Sequence, residues 1–331
     1  MGLLNRIVRR LSDLRAASGS VQLDVAGDLR GVDAVDLQAT RVSSNQVAGG
    51  DRSVILGGQN NSIAVPDAVA FGVNNTLDTI AVGSLAGGID NTVSASYSIA
   101  VGFGNTIDFT AIQSTAAFGQ GNKVSKTGSV TVGANNWIAG QEGLCVGSNC
   151  KVDTWRGVAF GDHARAFHYG QLAQSNGPDY SEQTLTPDGA DDFNQQRFVQ
   201  ILWGKDRTGG MTNLASNGTD ASGNPKTAGS EFTIPADYLV TGMIELVARN
   251  SDGTINATQW WLVAIARAAA AAAALVGTPT KLHELNPSAI ADPNITASGN
   301  ALRIQVPVRS GNPKRYHATI YGTYLRYKDG P

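Results

Sequence analysis

Eight glycines recur through the middle of the chain at nearly constant spacing, and they constrain the fold more than any other feature. They are Gly58, Gly72, Gly88, Gly102, Gly119, Gly133, Gly147 and Gly161, separated by 14, 16, 14, 17, 14, 14 and 14 residues. A repeat this short cannot bury its own apolar face, so stacked copies must share one continuous core. The repeats therefore predict a rod or rigid spacer. They exclude most enzyme folds for residues 50–166.

Each repeat alternates small and apolar residues before its glycine, as in Val130-Thr131-Val132 before Gly133, and has another apolar residue five positions later. This alternation predicts two short strands per repeat, with Val130 and Val132 on the buried face. The Gly-x-x-Asn that follows predicts a turn. Asparagines at the same rung of successive coils are placed to form a hydrogen-bond ladder. A helical solenoid is disfavoured because Gly, Asn, Thr, Ser and Val are weak helix formers.

The pattern Ser-Val-Ala-x-Gly-x-x-Asn-x-Val resembles the head repeat of trimeric autotransporter adhesins and is similar to segments of bacteriophage tail fibres and spikes. The resemblance covers about residues 50–166 and implies a left-handed parallel β-roll that assembles as a homotrimer. The chain departs from the pattern in Gly57-Gly58 and Gly87-Gly88, where glycine replaces an apolar residue. Cys150 and Ala164 replace the turn asparagine.

Composition and chain ends favour the phage relatives over the bacterial adhesins. Charged residues are 16% of the chain, which is low, and 39 of its 331 residues are glycine. The formal net charge of −2 gives no reason to expect nucleic acid binding. We find no signal peptide pattern and no apolar run of membrane-spanning length, so we expect no membrane insertion. The C-terminal residues do not end on an aromatic residue, as an adhesin's membrane anchor does.

The N-terminal residues 1–18 predict a short amphipathic helix. Its apolar residues fall at helical spacing, and four arginines lie on its other faces: the apolar set is Leu4, Ile7, Val8, Leu11 and Leu14. A helix this short is marginal alone, so it needs a partner. It is interpreted either as a trimeric coiled coil or as an adapter that docks on a virion tail or capsid protein. Binding to a membrane surface is the weaker alternative. Residues 19–48 predict a connecting β segment.

The repeat region is assigned to residues 49–168, and two further regions follow it. Residues 169–195 predict a neck or loop with acidic residues. Residues 196–331 predict a C-terminal β-sandwich, jelly-roll-like, because apolar alternation and polar turns recur there. The alanine run that begins at Ala268 favours helix locally, so we expect a strand to Arg267 and an irregular or helical excursion after it.

The sequence carries no catalytic, cofactor-binding or metal motif, and it leaves the receptor-binding residues unknown. The acidic neck residues Asp179, Glu182, Asp188, Asp191 and Asp192 supply the carboxylates of a glycosidase but lack its spacing. Cys145 and Cys150 are interpreted as free buried thiols. The histidines, which form no metal-spaced set, are His163, His168, His283 and His317.

The mainly all-β sequence thus predicts a structural, non-enzymatic homotrimer: a phage fibre or spike. It is expected on the virion surface after synthesis in the host cytoplasm, attached through its N-terminus. Its C-terminal domain is expected to bind a host cell-surface glycan or protein. Two alternatives remain open, a glycan depolymerase tailspike and a bacterial trimeric surface adhesin. No cofactor is expected.

Overall fold

The computed structural model describes residues 21–23, 26–78, 80–108, 113–176, 195–205, 211–215, 231–249, 255–268, 271–285, 291–307 and 315–326. Within these ranges the regular structure is all β, with no helix. The predicted N-terminal helix and the acidic residues of the predicted neck lie outside the described residues. The chain divides into two compact units at the Lys151–Val152 boundary, and each unit is described by itself.

The repeats coil into a parallel β-solenoid of about eight turns, as the sequence predicts. In the first unit the strands are β1 (Val21–Gln22), β2 (Val35–Asp36), β3 (Val54–Gln59), β4 (Ser62–Ile63), β5 (Val69–Val73), β6 (Thr76–Leu77), β7 (Leu85–Ile89), β8 (Thr92–Val93), β9 (Ile99–Phe103), β10 (Thr106–Ile107), β11 (Ala116–Gln120), β12 (Lys123–Val124), β13 (Val130–Ala134), β14 (Trp137–Ile138) and β15 (Leu144–Ser148). The strand β16 (Lys151–Val152) crosses the boundary. The longer strands β3 to β15 pair in parallel with one another, and so do the short strands β4 to β14.

The sequence assigned the wrong residues of the longer strands to the interior of the coil. Thr131 is fully buried, whereas Val130 is half-buried and Val132 is 41% exposed. The small residue of each repeat, most often alanine, occupies the interior, where it lies beside the apolar residue of the short strand, such as Ile138. The larger apolar residues of β13 therefore point outward.

A ladder of six buried asparagines holds the turns together and confirms the predicted stacking. Its members are Asn61, Asn75, Asn91, Asn105, Asn122 and Asn136. From Asn75 onward, the Nδ2 of each asparagine donates to the Oδ1 of the preceding asparagine at 2.9–3.0 Å. It also donates to a repeat-glycine carbonyl one coil on, at 2.7–2.9 Å. Gln38 and Cys150 occupy the flanking rungs, and the Cys150 backbone N–H donates to Asn136 Oδ1. Buried amides with every hydrogen bond satisfied fix the register of the coils.

The repeat glycines are required by both backbone angle and close approach. Gly102 has φ +129°, and a Cβ there would lie 1.9 Å from the carbonyl oxygen of Gly119 in the next coil. Gly87, which departs from the repeat, has a different reason. The ring of Phe71 lies over it, so that a Cβ would meet the ring at 2.2 Å.

Three charged side chains form a cluster with a buried carboxylate in the first described coils. Asp36 is fully buried, and its Oδ2 accepts hydrogen bonds from Arg30 Nε at 3.1 Å and Arg41 Nη2 at 3.2 Å. Because a buried carboxylate is costly without partners, the two arginines are needed to keep Asp36 inside.

The second unit joins parallel and antiparallel pairing at one strand. Its strands are β17 (Val158–Asp162), β18 (Arg165–Ala166), β19 (Leu172–Asn176), β20 (Gln195–Lys205), β21 (Met211–Asn213), β22 (Phe232–Thr233), β23 (Tyr238–Arg249), β24 (Ile255–Arg267), β25 (Ala274–Leu275), β26 (Thr280–Leu285), β27 (Asn294–Ser298), β28 (Ala301–Pro307) and β29 (Arg315–Arg326). The strand β19 pairs in parallel with β17 and antiparallel with β20. The antiparallel order then runs β20-β29-β23-β24-β26, and a second antiparallel sheet contains β21, β22, β27 and β28.

Buried side chains of both antiparallel sheets belong to one apolar core with aromatic rings at its centre. The ring centroids of Phe198 and Tyr324 are 4.4 Å apart, and those of Phe198 and Phe232 are 5.2 Å apart. The strands predicted from apolar alternation in this region are confirmed, whereas the jelly-roll-like sandwich stays a prediction. The strand before the alanine run does end at Arg267, and the described residues after it are irregular until β25.

Candidate functional site

The first unit carries an exposed apolar face on the outside of its longer strands, which we call the outer stripe. It consists of Leu56, Phe71, Ile89, Ile99, Phe103, Phe118 and Val132, each 38–59% exposed. The strands are in register, so that Phe118 lies directly between Val101 and Val132 of the neighbouring coils. The stripe is therefore a continuous apolar surface. Patches of this kind on soluble proteins mark interaction sites.

The second unit carries a different surface on the larger antiparallel sheet, on the side away from the aromatic core. We call it the open face. The face consists of four rows that cross β20, β29, β23 and β24 in that order. The first row contains Val199, Tyr321, Met243 and Leu262, and the second contains Ile201, Thr319, Glu245 and Trp260. The third contains Trp203, His317, Val247 and Thr258, and the fourth contains Arg315 of β29 and Arg249 of β23. Trp203, Trp260 and Tyr321 are 38%, 38% and 42% exposed. The six-residue separation of Tyr321 and Arg315 makes the face about 20 Å long.

A groove of about 510 Å³ lies at the Tyr321 end of the open face. Leu172, Val199, Met243, Leu262 and Tyr321 form its apolar wall, and Arg197 lies at its border. Beside it, the Tyr321 hydroxyl donates to Glu245 Oε2 at 3.4 Å. Glu245 is half-buried and lies directly opposite Trp260 on β24. The groove therefore has an apolar wall that includes the Tyr321 ring, and the Glu245 carboxylate lies beside it at the Tyr321 hydroxyl.

The other end of the open face is positively charged. Arg249 and Arg315 are both exposed and lie directly opposite each other on β23 and β29. Burial, followed by the charges of these two arginines, lowers the pKa of His317 below its usual value. Like charges directly opposite in an antiparallel pair oppose pairing.

A polar network lies at the β24–β26 edge of the same sheet. Buried Gln259 accepts a hydrogen bond from Trp261 Nε1 at 3.2 Å and donates to Glu284 Oε1 at 2.6 Å and Asp292 Oδ1 at 3.2 Å. Lys281 Nζ pairs with both carboxylates. Lys281 and Gln259 lower the pKa of Glu284, so both donors favour its ionised form. Gln259, Lys281 and Glu284 therefore hold the β24–β26 edge together.

Most of the sequence-level candidates do not form a site within the described residues. Cys145 and Cys150 are buried thiols that form no disulfide, as interpreted. The described ranges contain no group of three or more His, Cys, Asp or Glu side chains arranged to hold a metal ion. His168 is buried, and its Nε2 lies 3.1 Å from the Tyr324 hydroxyl. In the part of the chain that is described, no helix has the length and apolarity to cross a membrane.

Comparisons with known proteins give matches among solved structures. No protein-family model matches the chain, and no curated protein matches it. A solved structure that is similar is the tailspike protein gp49 of the Acinetobacter baumannii bacteriophage Fri1, described as a capsular polysaccharide depolymerase. The similarity covers 93% of this chain and 69% of that chain, at 9% sequence identity and a TM-score of 0.24. A similarity of this size transfers no residue roles to this chain.

The expectation that the chain is not an enzyme is corrected by this comparison, because the matching tailspike is itself described as a depolymerase. The expectation came from the absence of a catalytic motif in the sequence. Such an absence is a weak guide for solenoid proteins, since residues from distant strands form their surfaces. We therefore do not retain it.

Proposed function

We propose that the chain is a bacteriophage tail spike on the virion surface, built as a homotrimer around its solenoid, with the C-terminal unit engaging host-surface polysaccharide. The observation that carries the proposal is the outer stripe. On the longer strands the larger apolar residues lie outside the coil, which leaves a continuous apolar face uncovered in a single chain. Other copies of the same stripe are the natural cover, because the repeat gives every copy the same spacing.

The N-terminal residues 1–18 are proposed to attach the spike to the virion. This part rests on the sequence alone, because four arginines beside an apolar stripe suit an acidic socket on a partner protein. Deleting residues 1–18 is expected to abolish incorporation into particles and to leave the trimer intact. Normal incorporation would refute attachment, and loss of the trimer would assign the helix to assembly.

Charge placed on the outer stripe tests the trimer. The wild type is expected to sediment at three times the 34.4 kDa chain mass. Phe118→Asp, in β11, is expected to dissociate it, because three carboxylates would be buried without partners. Lys123→Asp, on the short strand β12 of the same coil, is the matched control and is expected to keep the trimer mass. A wild type that sediments as a monomer, or equal behaviour of both variants, contradicts the proposal.

A second candidate function is cleavage of the bound polysaccharide, and Glu245 is the observation that favours it. A half-buried carboxylate between a tyrosine hydroxyl and a tryptophan ring is placed as in sites that transfer protons to glycosidic oxygens. Sugar rings stack on exposed aromatic faces, so Trp260 and Tyr321 would hold the chain beside it.

Release of reducing ends from host capsular polysaccharide tests this second function. Glu245→Gln is expected to lower the release rate at least about 100-fold, as loss of an acid–base group does. Glu142→Gln changes an exposed carboxylate of the solenoid and is expected to leave the rate unchanged. Absence of release by the wild type, or full activity of Glu245→Gln, removes Glu245 from this role.

A further inference from the structure

Among the described residues, the positively charged end of the open face has no carboxylate partner. Arg249 and Arg315 oppose each other across two strands, and no described carboxylate forms an ion pair with either. Glu245, the acid of the face, is four residues from Arg249 along β23, or about 13 Å. The repulsion between these two exposed arginines therefore opposes the pairing of β23 and β29. A bound anion between the two guanidinium groups would make that pair favourable.

The surroundings of the arginine pair favour a sugar ring as the carrier of that anion. His317 and Trp203 form the adjacent row, with Trp203 38% exposed. Trp260 and Tyr321 continue the aromatic surface toward the groove. Aromatic faces at successive rows present flat apolar surfaces to the C–H faces of sugar rings, and two guanidinium groups bind a carboxylate through paired hydrogen bonds.

Two other occupants fit the charges less well. Nucleic acid binds extended basic surfaces that neutralise many phosphates, whereas this chain has a net charge of −2 and two arginines at one end of the face. A second copy of the open face would bring the four copies of Arg249 and Arg315 together with two copies of Glu245, so the positive charges of the rows would exceed the negative ones. The outer stripe of the first unit has no such conflict.

We propose that the open face binds an acidic polysaccharide, with the carboxylate of one sugar held between Arg249 and Arg315 and the neighbouring sugars stacked on Trp203 and Trp260. This rests on the proposed function, since it names the class of polysaccharide that the spike engages. The binding direction follows the strands, from the arginine pair toward the groove.

The experiment measures binding of the full chain to polygalacturonate, hyaluronate and polysialate, each beside its carboxyl-reduced form. At least one acidic polymer is expected to bind at least about tenfold more tightly than its reduced form. Arg249→Gln and Arg315→Gln are each expected to remove that preference, while Trp203→Ala weakens both forms. Arg52→Gln removes one positive charge from the solenoid and is the control for net charge.

Three results would overturn the site: no acidic polymer preferred over its reduced form, unchanged preference in both arginine variants, or tighter binding of a single-stranded DNA oligonucleotide. Sedimentation of the same samples separates this from the proposed function. Trimers without a carboxylate preference refute the site alone. A monomeric wild type refutes the tail-spike proposal itself.

Discussion

The two units of the chain bury opposite kinds of side chain. The interior of the solenoid is filled by alanines, single β-branched or leucine residues and a ladder of asparagine amides, while its larger apolar residues lie outside. The C-terminal unit instead encloses the rings of Phe198, Phe232 and Tyr324 in one core. The interior of the first unit therefore relies on hydrogen-bond register as well as on small apolar contacts, whereas the second unit has a core of packed aromatic rings.

The largest expected effect comes from breaking the close approach of the coils. Gly102→Ala places a Cβ 1.9 Å from the Gly119 carbonyl oxygen at a φ of +129°. The free energy of unfolding is expected to fall by about 4 kcal/mol or more. Gly104→Ala, two residues away, has open space and a φ of +65°. It is expected to lose about 1 kcal/mol. Thermal unfolding of both variants that shows equal losses would mean the coils do not pack this closely.

The asparagine ladder is expected to be the next most sensitive feature. Asn105→Ala leaves the Asn91 Oδ1, the Gly119 carbonyl and the backbone N–H of Asn122 without their side-chain partner. A loss of about 3 kcal/mol is expected, because these groups are buried. Asn74→Ala removes an exposed hydrogen bond to Asp90 and places alanine at a positive φ, which asparagine adopts more readily. The free energy of unfolding is expected to fall by about 1 kcal/mol. Faster amide hydrogen exchange in the coils on both sides of the substitution, in Asn105→Ala but not in Asn74→Ala, would support the ladder. Equal amide protection in the two variants would contradict it.

The aromatic core of the second unit is expected to respond to pH instead. Burial lowers the pKa of His168 to about 4 from its ordinary value of 6.5. Between these two values the unfolded chain binds the proton and the folded chain does not, so stability falls as pH falls through this window. The loss reaches about 3 kcal/mol below pH 4 and is absent above about pH 6.5. His168→Gln is expected to flatten this part of the unfolding curve, and an unchanged pH slope would contradict the assignment.

The solenoid was largely readable from the sequence because its repeat fixes both the strands and the turns. Gly102 is recognisable because its glycine recurs in every repeat, and Asn105 because its asparagine recurs in six successive coils. The orientation of Val130 and Val132 was not readable. Alternation shows that successive residues of a strand face opposite sides, but it does not show which side is buried. In β13 the structure places the small residue, Thr131, on the buried side.

The open face was not predictable for a different reason. Trp203, Glu245, Trp260 and Arg315 lie on four strands far apart in sequence, and only the register of those strands places them on one surface. Each residue alone resembles any exposed strand position. The one available signal was that the C-terminal strands carry aromatic residues at outward as well as inward positions.

We propose above that other copies of the chain cover the outer stripe. Hydroxyl-radical footprinting of the native protein tests this cover directly. Phe71 and Phe118 are each 38% exposed in the single chain, and Tyr97, on a turn of the same unit, is 63% exposed. If other copies cover the outer stripe, both phenylalanines are expected to be strongly protected relative to the denatured chain, and Tyr97 is expected to be little protected. Labelling of Phe71 and Phe118 in proportion to their single-chain exposure would contradict the proposed trimer.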